Sequence, residues 1–334
     1  MARRGFDART ETARMRKAIG VDLGGSHVTA GIVQEDGKIL AQHELDILDR
    51  SFEAVVASLE SVVRDALKDV KGEECAGIGI GSPGNIDLAT GEVLWSPNFL
   101  WTNVPLGERI RSIFNAPVFI ANDARCAALG EYRFGIGRGT QDFVLLTIGT
   151  GLGGGIVSNG RLLIGNRAGA GEIGHHQIRP SDGFICACGK IGCFEAQASG
   201  TGLIRHATAV APSFPRSTLL DKNKEKLGSK AIRRAAQAGD AHALAAWQRF
   251  TSDLALGLAN VIAIVNPERI ALGGGVSSAG DFMLQAIRPR IDELTTTVPR
   301  GTTDVAIAQL GNDAGQVGAA SLVFSGGLQA AHGV

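Results

Sequence analysis

The sequence has no surplus of charge of either sign: 33 Lys and Arg stand against 33 Asp and Glu. Without net charge, a chain has no global field to draw it onto DNA or an acidic membrane. No apolar run is long enough to span a bilayer. The opening residues, MARRGFDARTETARMRK, are basic and polar and contain no apolar stretch of the kind that directs export. Residues 1–17 are therefore expected to form a disordered tail, and the chain to be cytoplasmic. Cysteine is scarce, with five residues, and in a reducing compartment these are expected to be thiols or metal ligands rather than disulfides. The pattern G-x-x-x-x-G-K-[ST] is missing too, which excludes a P-loop nucleotide site.

Glycine is in excess, at 46 of 334 residues, against a usual share of about 7%. The glycines cluster, which implies tight backbone work at particular loops. Residues 18–33 (AIGVDLGGSHVTAGIV) read as strand, polar glycine turn and strand. Residues 143–157 (FVLLTIGTGLGGGIV) repeat the pattern, and Asn159-Gly160 adds a hairpin turn. This is the grammar of a duplicated architecture with one such hairpin per domain, and the length also suggests two domains. Val55, Val56, Leu59, Val62, Val63 and Leu67 carry helical spacing over 52–70. A buried strand is expected over 77–80 and another over 269–272. Helix is expected over 231–265 with a break near Gly239-Asp240, again from Asp281, and over 315–324. Segment 207–229 reads as loop. Alternating β and α elements give an α/β class.

Gly149-Thr150-Gly151-Leu152-Gly153-Gly154 matches G-x-G-x-x-G, but a dinucleotide site needs a helix after the glycines. Here the chain turns into a second strand, so that reading is rejected. Glycine hairpins still hold phosphate, because backbone N–H groups without Cβ atoms approach its oxygens closely. Three such loops, DLGGS, GTGLGGG and GGGVS, point to a nucleotide site. Asp22, at the mouth of the first, is placed to hold Mg²⁺ through water. Cys186-x-Cys188-x₄-Cys193 is dense enough for three thiolates of a closed tetrahedral Zn²⁺ site, which would be structural. Cys75 and Cys126 lie outside it and read as core thiols.

In this order along the chain, the motifs resemble those of the ROK family of sugar kinases and repressors. Asp22-Leu23-Gly24-Gly25-Ser26, Thr147-Ile148-Gly149-Thr150-Gly151 and Leu272-Gly273-Gly274-Gly275 resemble the ATP loops of actin-like kinases. Gly81-Ser82-Pro83-Gly84-Asn85-Ile86-Asp87, Ser96-Pro97-Asn98, Asn122-Asp123-Ala124, Gly171-Glu172-Ile173-Gly174-His175 and the cysteine block ending at Glu195 resemble segments specific to the family. The resemblance implies a two-domain actin-like (ribonuclease H-like) fold with the active site in the interdomain cleft. It implies a small domain over 18–121 and a large one over 122–312, which holds the zinc loop 175–195. A last helix, about 313–326, would pack back on the small domain.

The same resemblance implies that Asp123 is the general base and that Gly84, Asn98, Asn122, Glu172, His175 and Glu195 hold the sugar. Gly24, Gly25, Ser26, Thr150, Gly151, Gly273, Gly274 and Gly275, with Asp22, would hold Mg²⁺·ATP. His175 is expected as the fourth zinc ligand, since it follows Glu-Ile-Gly as the family ligand does. His176 is the alternative, because it restores the family's gap to Cys186, and whichever histidine is unused is expected to be exposed. Asp123 is also expected to double as the cap of a helix starting at Ala124. Asp87 and Glu131 read as structural. The implied activity is ATP-dependent phosphorylation of the 6-hydroxyl of a hexose, as in the family's glucokinases, by a homodimer or homotetramer. Kinases of N-acetylmannosamine or N-acetylglucosamine share the block. A sugar-responsive repressor is disfavoured, because little chain precedes Asp22 for a DNA-binding domain and basic residues are not in surplus.

Overall fold

The structure, a computed structural model, describes residues 15–70, 75–219 and 228–328. Three antiparallel strands come first: β1 (Lys17–Leu23), β2 (His27–Gln34) and β3 (Ile39–Asp46). Helix α1 (Phe52–Asp69) buries Val55, Val56, Leu59, Val62, Val63 and Ala66 on one stripe, as the spacing predicts. Strand β4 (Ile78–Ser82) returns parallel to β1. A small antiparallel sheet of β5 (Asn85–Ile86), β6 (Val93–Ser96) and β7 (Trp101–Val104) follows, then helix α2 (Leu106–Phe114). Strand β8 (Val118–Asn122) completes a five-stranded sheet in the order β3-β2-β1-β4-β8, and helix α3 (Asp123–Phe134) leaves it directly.

The second half repeats this plan. Strands β9 (Phe143–Ile148), β10 (Leu152–Ser158) and β11 (Arg161–Leu162) are antiparallel. Helices α4 (Phe194–Ala198), α5 (Gly200–Val210), α6 (Ser229–Gln237) and α7 (Ala241–Val265) lead to β12 (Arg269–Gly273). Helix α8 (Asp281–Leu294) connects it to β13 (Asp304–Ile307), and α9 (Ala314–Phe324) follows. The order β11-β10-β9-β12-β13 and its strand directions match those of the first sheet. The break between α6 and α7 falls at Gly239-Asp240, where Asp240 caps α7 by accepting the Ala243 N–H.

The two halves exchange helices. Helix α3, which follows the first sheet, packs on β9 and β10 of the second. Helix α9, which follows the second, lies on β1 and β4 of the first and against α3. Contact is close enough to exclude side chains: a Cβ on Gly79 would sit 1.8 Å from the Ala319 carbonyl oxygen. Each half keeps its own apolar core, with Leu59, Ile80 and Leu106 in the first and Phe194, Phe250 and Leu258 in the second.

Two expectations need correction. The tail was expected to reach residue 17, but Lys17 already pairs with Gln34 as the first residue of β1. Arg16 also forms an ion pair with Glu35, and residues 1–14 lie outside the described residues. Segment 207–229 was expected to be loop, yet residues 207–210 close α5, where Ala207 and Val210 join the core. Helical hydrogen bonds there run across a sequence that looks irregular only once Pro212 and Pro215 are reached. Residues 220–227 lie outside the described residues.

Candidate functional site

A cleft of about 570 Å³ lies between the two sheets. Asp22, Asp123, Thr147, Gly153, Gly274 and Gly315 are among its walls. Asp22 stands at the end of β1 against the first turn of α9, where a Cβ on Gly315 would come 2.7 Å from Oδ2. Asp123 opens α3 at the end of β8. Both keep a strip of surface on the cleft, yet protein encloses them deeply. Burial pushes the Asp22 carboxyl up to about 7, and the nearby Asp123 charge adds to the rise. Burial likewise raises Asp123, against the opposing pull of the Ala124 N–H, which donates to its Oδ1 at 2.8 Å. Cys126, one turn along α3, is buried in the core, and burial raises its thiol well above its usual range. It therefore stays neutral beside two carboxylates.

The helix cap is Asn122, not Asp123. Asn122 Oδ1 accepts the Arg125 N–H at 3.2 Å, and its Nδ2 donates to the Gly84 carbonyl at 3.2 Å. The helix starts one residue earlier than expected, so the cap shifts by one and Asp123 is left free to face the cleft. Asn122 thus ties the Gly84 turn to α3. Gly84 has φ +113, and a Cβ there would meet the Trp95 carbonyl oxygen at 2.2 Å, so only glycine fits. Arg125, buried at 2% exposure, donates from Nε and Nη2 to the Ala170 carbonyl. Its Nη2 also reaches Glu172 Oε1 at 3.3 Å, and Glu172 itself is exposed. Asn98 is exposed and packs by the first glycine turn, where a Cβ on Gly25 would lie 3.4 Å from its Nδ2. Gly24 donates to the His27 carbonyl at 2.9 Å, which closes the turn that carries Ser26. Gly273 ends β12, Gly274 and Gly275 follow it, and the Val276 N–H donates to the Ile148 carbonyl, which joins this loop to the second hairpin.

Asp87 and Glu131 are structural, as read. Asp87 Oδ1 accepts the N–H groups of Ala89 and Thr90 in a turn. Glu131, fully buried, accepts the Leu310 N–H at 2.6 Å and the Ile136 N–H at 3.0 Å. It pins α3 to the chain entering α9.

Behind the second hairpin, a ring nitrogen of His175 and the Sγ atoms of Cys186, Cys188 and Cys193 lie within 4.8 Å of one another. The Cys186–His175 separation is 3.7 Å and the Cys188–Cys193 separation 3.6 Å. A tetrahedral Zn²⁺ with ordinary bond lengths sets ligand atoms about 3.6–3.8 Å apart, so the donor set fits such an ion. His176 is turned away from the cluster: its Nδ1 bonds the Ile173 carbonyl at 2.6 Å and its ring packs 5.2 Å from Phe194. It is half-buried rather than exposed as expected, because the core side of the loop takes it in. Glu195 joins cluster and hairpin, its Oε1 accepting from Cys186 Sγ at 3.5 Å and its Oε2 from the Leu152 N–H at 3.0 Å.

Two residues that bear on this site escaped the sequence reading. Arg179 donates to Oδ1 of the buried Asp253 at 2.6 Å, and His206 faces Oδ2 at 3.3 Å, which moors the cysteine loop to α7. Thr201 bonds the tip of the second hairpin. The signal for Arg179 would have been an Asp in the middle of an apolar helix, a residue type seldom buried without a partner.

The family model for ROK matches residues 18–325. The chain is 40% identical to a glucokinase of Thermotoga maritima over 92% of this chain and 97% of that protein. It is 38% identical to a glucokinase of Streptomyces coelicolor over 92% and 98%. Among solved structures it is similar to a ROK family glucokinase from Streptomyces griseus in complex with glucose and AMPPNP, with a TM-score of 0.80, 36% identity, and coverage of 92% and 98%. It is also similar to a ROK family transcriptional regulator, a homologue of the E. coli MLC protein, with a TM-score of 0.81, 30% identity, and coverage of 94% of this chain and 78% of that one.

Proposed function

This chain belongs to the ROK family, and on that premise we propose that it is an ATP-dependent hexokinase, transferring the γ-phosphoryl group to the 6-hydroxyl of glucose. The observation that carries the reading is the pair of half-buried carboxylates, Asp22 and Asp123, facing one cleft between two glycine hairpins. Similarity to glucokinases along nearly the whole chain supports glucose as the acceptor.

Phosphoryl transfer depends on positioning and charge neutralisation more than on covalent help from the protein. Asp123 takes the proton of the attacking hydroxyl. Burial makes its carboxylate a stronger base than a surface Asp, which suits that task near neutral pH. Asn122 and Gly84 form the floor of the sugar site, with Asn98, Glu172, His175 and Glu195 around it. Gly24, Gly25 and Ser26 on one side, Thr150 and Gly151 on the other, hold the phosphates, with Gly273, Gly274 and Gly275 beside the nucleoside. Mg²⁺ would neutralise the phosphate charge, held through Asp22. Zn²⁺ at His175, Cys186, Cys188 and Cys193 would be structural, since four protein ligands close its shell. The small domain corresponds to 18–121 with α9 and the large one to 122–312. The enzyme is read as cytoplasmic and as a homodimer or homotetramer; among the described residues no helix is long and apolar enough to cross a membrane.

A coupled ADP-release assay over glucose, fructose, N-acetylglucosamine and N-acetylmannosamine tests the reading. Glucose should give the highest kcat/KM, and faster turnover of an N-acetylhexosamine would overturn the choice of substrate. Asp123→Asn should bind glucose nearly as tightly while kcat falls by at least about a hundredfold. Undiminished turnover would assign the base elsewhere.

A further inference from the structure

Helix α5 begins against the turn of the second glycine hairpin, and every donor of its first turn is accounted for. Gly200 N–H donates to the Gly149 carbonyl at 2.8 Å. Thr201 donates twice to the Thr150 carbonyl, from its N–H at 3.3 Å and its hydroxyl at 2.8 Å. The Gly202 N–H is taken by the Ser199 cap at 3.1 Å. A helix start ordinarily leaves these groups for solvent or an anion; here they hold a neighbouring loop. Seen from the hairpin, the carbonyls of Gly149 and Thr150 point into the protein, and the Leu152 N–H is held by Glu195. Among the described residues, the N–H groups of Thr150 and Gly151 have no partner. Backbone donors left free side by side, with their carbonyls turned away, form an anion-binding nest.

We propose that Thr201 is a positioning residue for phosphoryl transfer, holding the Thr150 carbonyl so that the Thr150 and Gly151 N–H groups face the phosphates of the nucleotide. Without the hydroxyl, the Thr150–Gly151 peptide keeps one weak tie at 3.3 Å. It can then rotate, and its carbonyl would present negative charge where a phosphate must sit. Gly200 sets the distance: a Cβ there would lie 2.7 Å from the Gly149 oxygen. Because the hydrogen bonds that Thr201 donates go to the hairpin, its loss should act on nucleotide and spare glucose.

The inference rests on the kinase reading, and the test separates the two. Titration calorimetry with Mg²⁺·AMPPNP and steady-state kinetics are run on wild type, Thr201→Val and Thr201→Ser. Thr201→Val should weaken AMPPNP and raise the KM for ATP by about fivefold, the effect of one hydrogen bond. The KM for glucose should stay within twofold of wild type, and Thr201→Ser should restore nucleotide binding. Unchanged nucleotide affinity in Thr201→Val, or equal weakening of glucose and nucleotide, would overturn the proposal. If Thr201→Val does not fold, Thr201→Ser and Gly200→Ala decide. Gly200→Ala should weaken nucleotide more than glucose, Thr201→Ser should bind both as wild type does, and a departure on either variant overturns the proposal. A wild-type protein that binds AMPPNP without turning over any hexose would instead overturn the kinase reading.

Discussion

Replacing Asp22 by Asn removes a carboxyl group that the fold keeps protonated nearly to neutrality. In the unfolded chain this group ionises near its ordinary value of 3.8, and in the folded protein at about 7. Between those values the folded state holds a proton that the unfolded state has lost. Stability therefore declines as pH rises through the window and levels off above it. At about 1.4 kcal/mol per pH unit, the full decline amounts to about 4 kcal/mol. Asn does not titrate, so Asp22→Asn should show a flatter profile and be the more stable protein above about pH 7. Urea unfolding of both proteins at intervals from about pH 4 to about pH 8 measures the difference directly, because the remaining carboxylates are common to both. A second arm uses the proposed Mg²⁺ site. Binding of Mg²⁺·AMPPNP below about pH 7 should expel the Asp22 proton, seen as a binding enthalpy that depends on the ionisation enthalpy of the buffer. Asp22→Asn should lose that dependence. Parallel stability profiles for the two proteins would refute the reasoning, since they would mean that burial and the Asp123 field do not act on Asp22.

Other outcomes are expected. Cys193→Ser should reduce bound zinc, measured by mass spectrometry, from about one ion per chain to near zero and lower the melting temperature, because Cys193 is fully buried beside its partners. Arg179→Ala leaves the Asp253 carboxylate, 2% exposed, with His206 alone; unfolding in urea should show a loss of about 3 kcal/mol, partly recovered by adding Asp253→Asn. Gly84→Ala must move the Trp95 carbonyl from a 2.2 Å approach and should raise the KM for glucose well above any change in the KM for ATP.

Local features were the ones legible from residues alone. Both glycine hairpins could be read because alternation of apolar residues and the turn chemistry lie within a few neighbours, as in Val21-Asp22-Leu23-Gly24-Gly25. The three cysteines could be read for the same reason. Choosing between His175 and His176 could not be done by spacing, since adjacent residues on a short turn point apart, and it is the bond of His176 to the Ile173 carbonyl and its packing against Phe194 that separate them. Asn122 and Asp123 are both good helix caps, and the observed cap depends on the parallel pairing of β8 with β4, which sets where the strand ends. Thr201 and Arg179 act on partners distant in sequence, Thr150 and Asp253, and nothing in their own neighbourhoods marks them. Helix α4, with five residues, carries too few turns for a periodic signal.

The exchange of α3 and α9 bears on how the protein is made. A ribosome delivers β1 to β8 first, yet the sheet they form has one face shaped for a helix that follows the whole second sheet. Gly20 and Gly79 have no side chains with which to cover that face themselves, and a Cβ at either would collide with α9. That patch has no cover until α9 is made, just as α3 has no sheet to pack on until β9 and β10 are. Each half is thus finished by the other, and the first cannot be completed before residues 314–324 have been made. The helices that unite the cleft also make its first half dependent on a helix that follows its second.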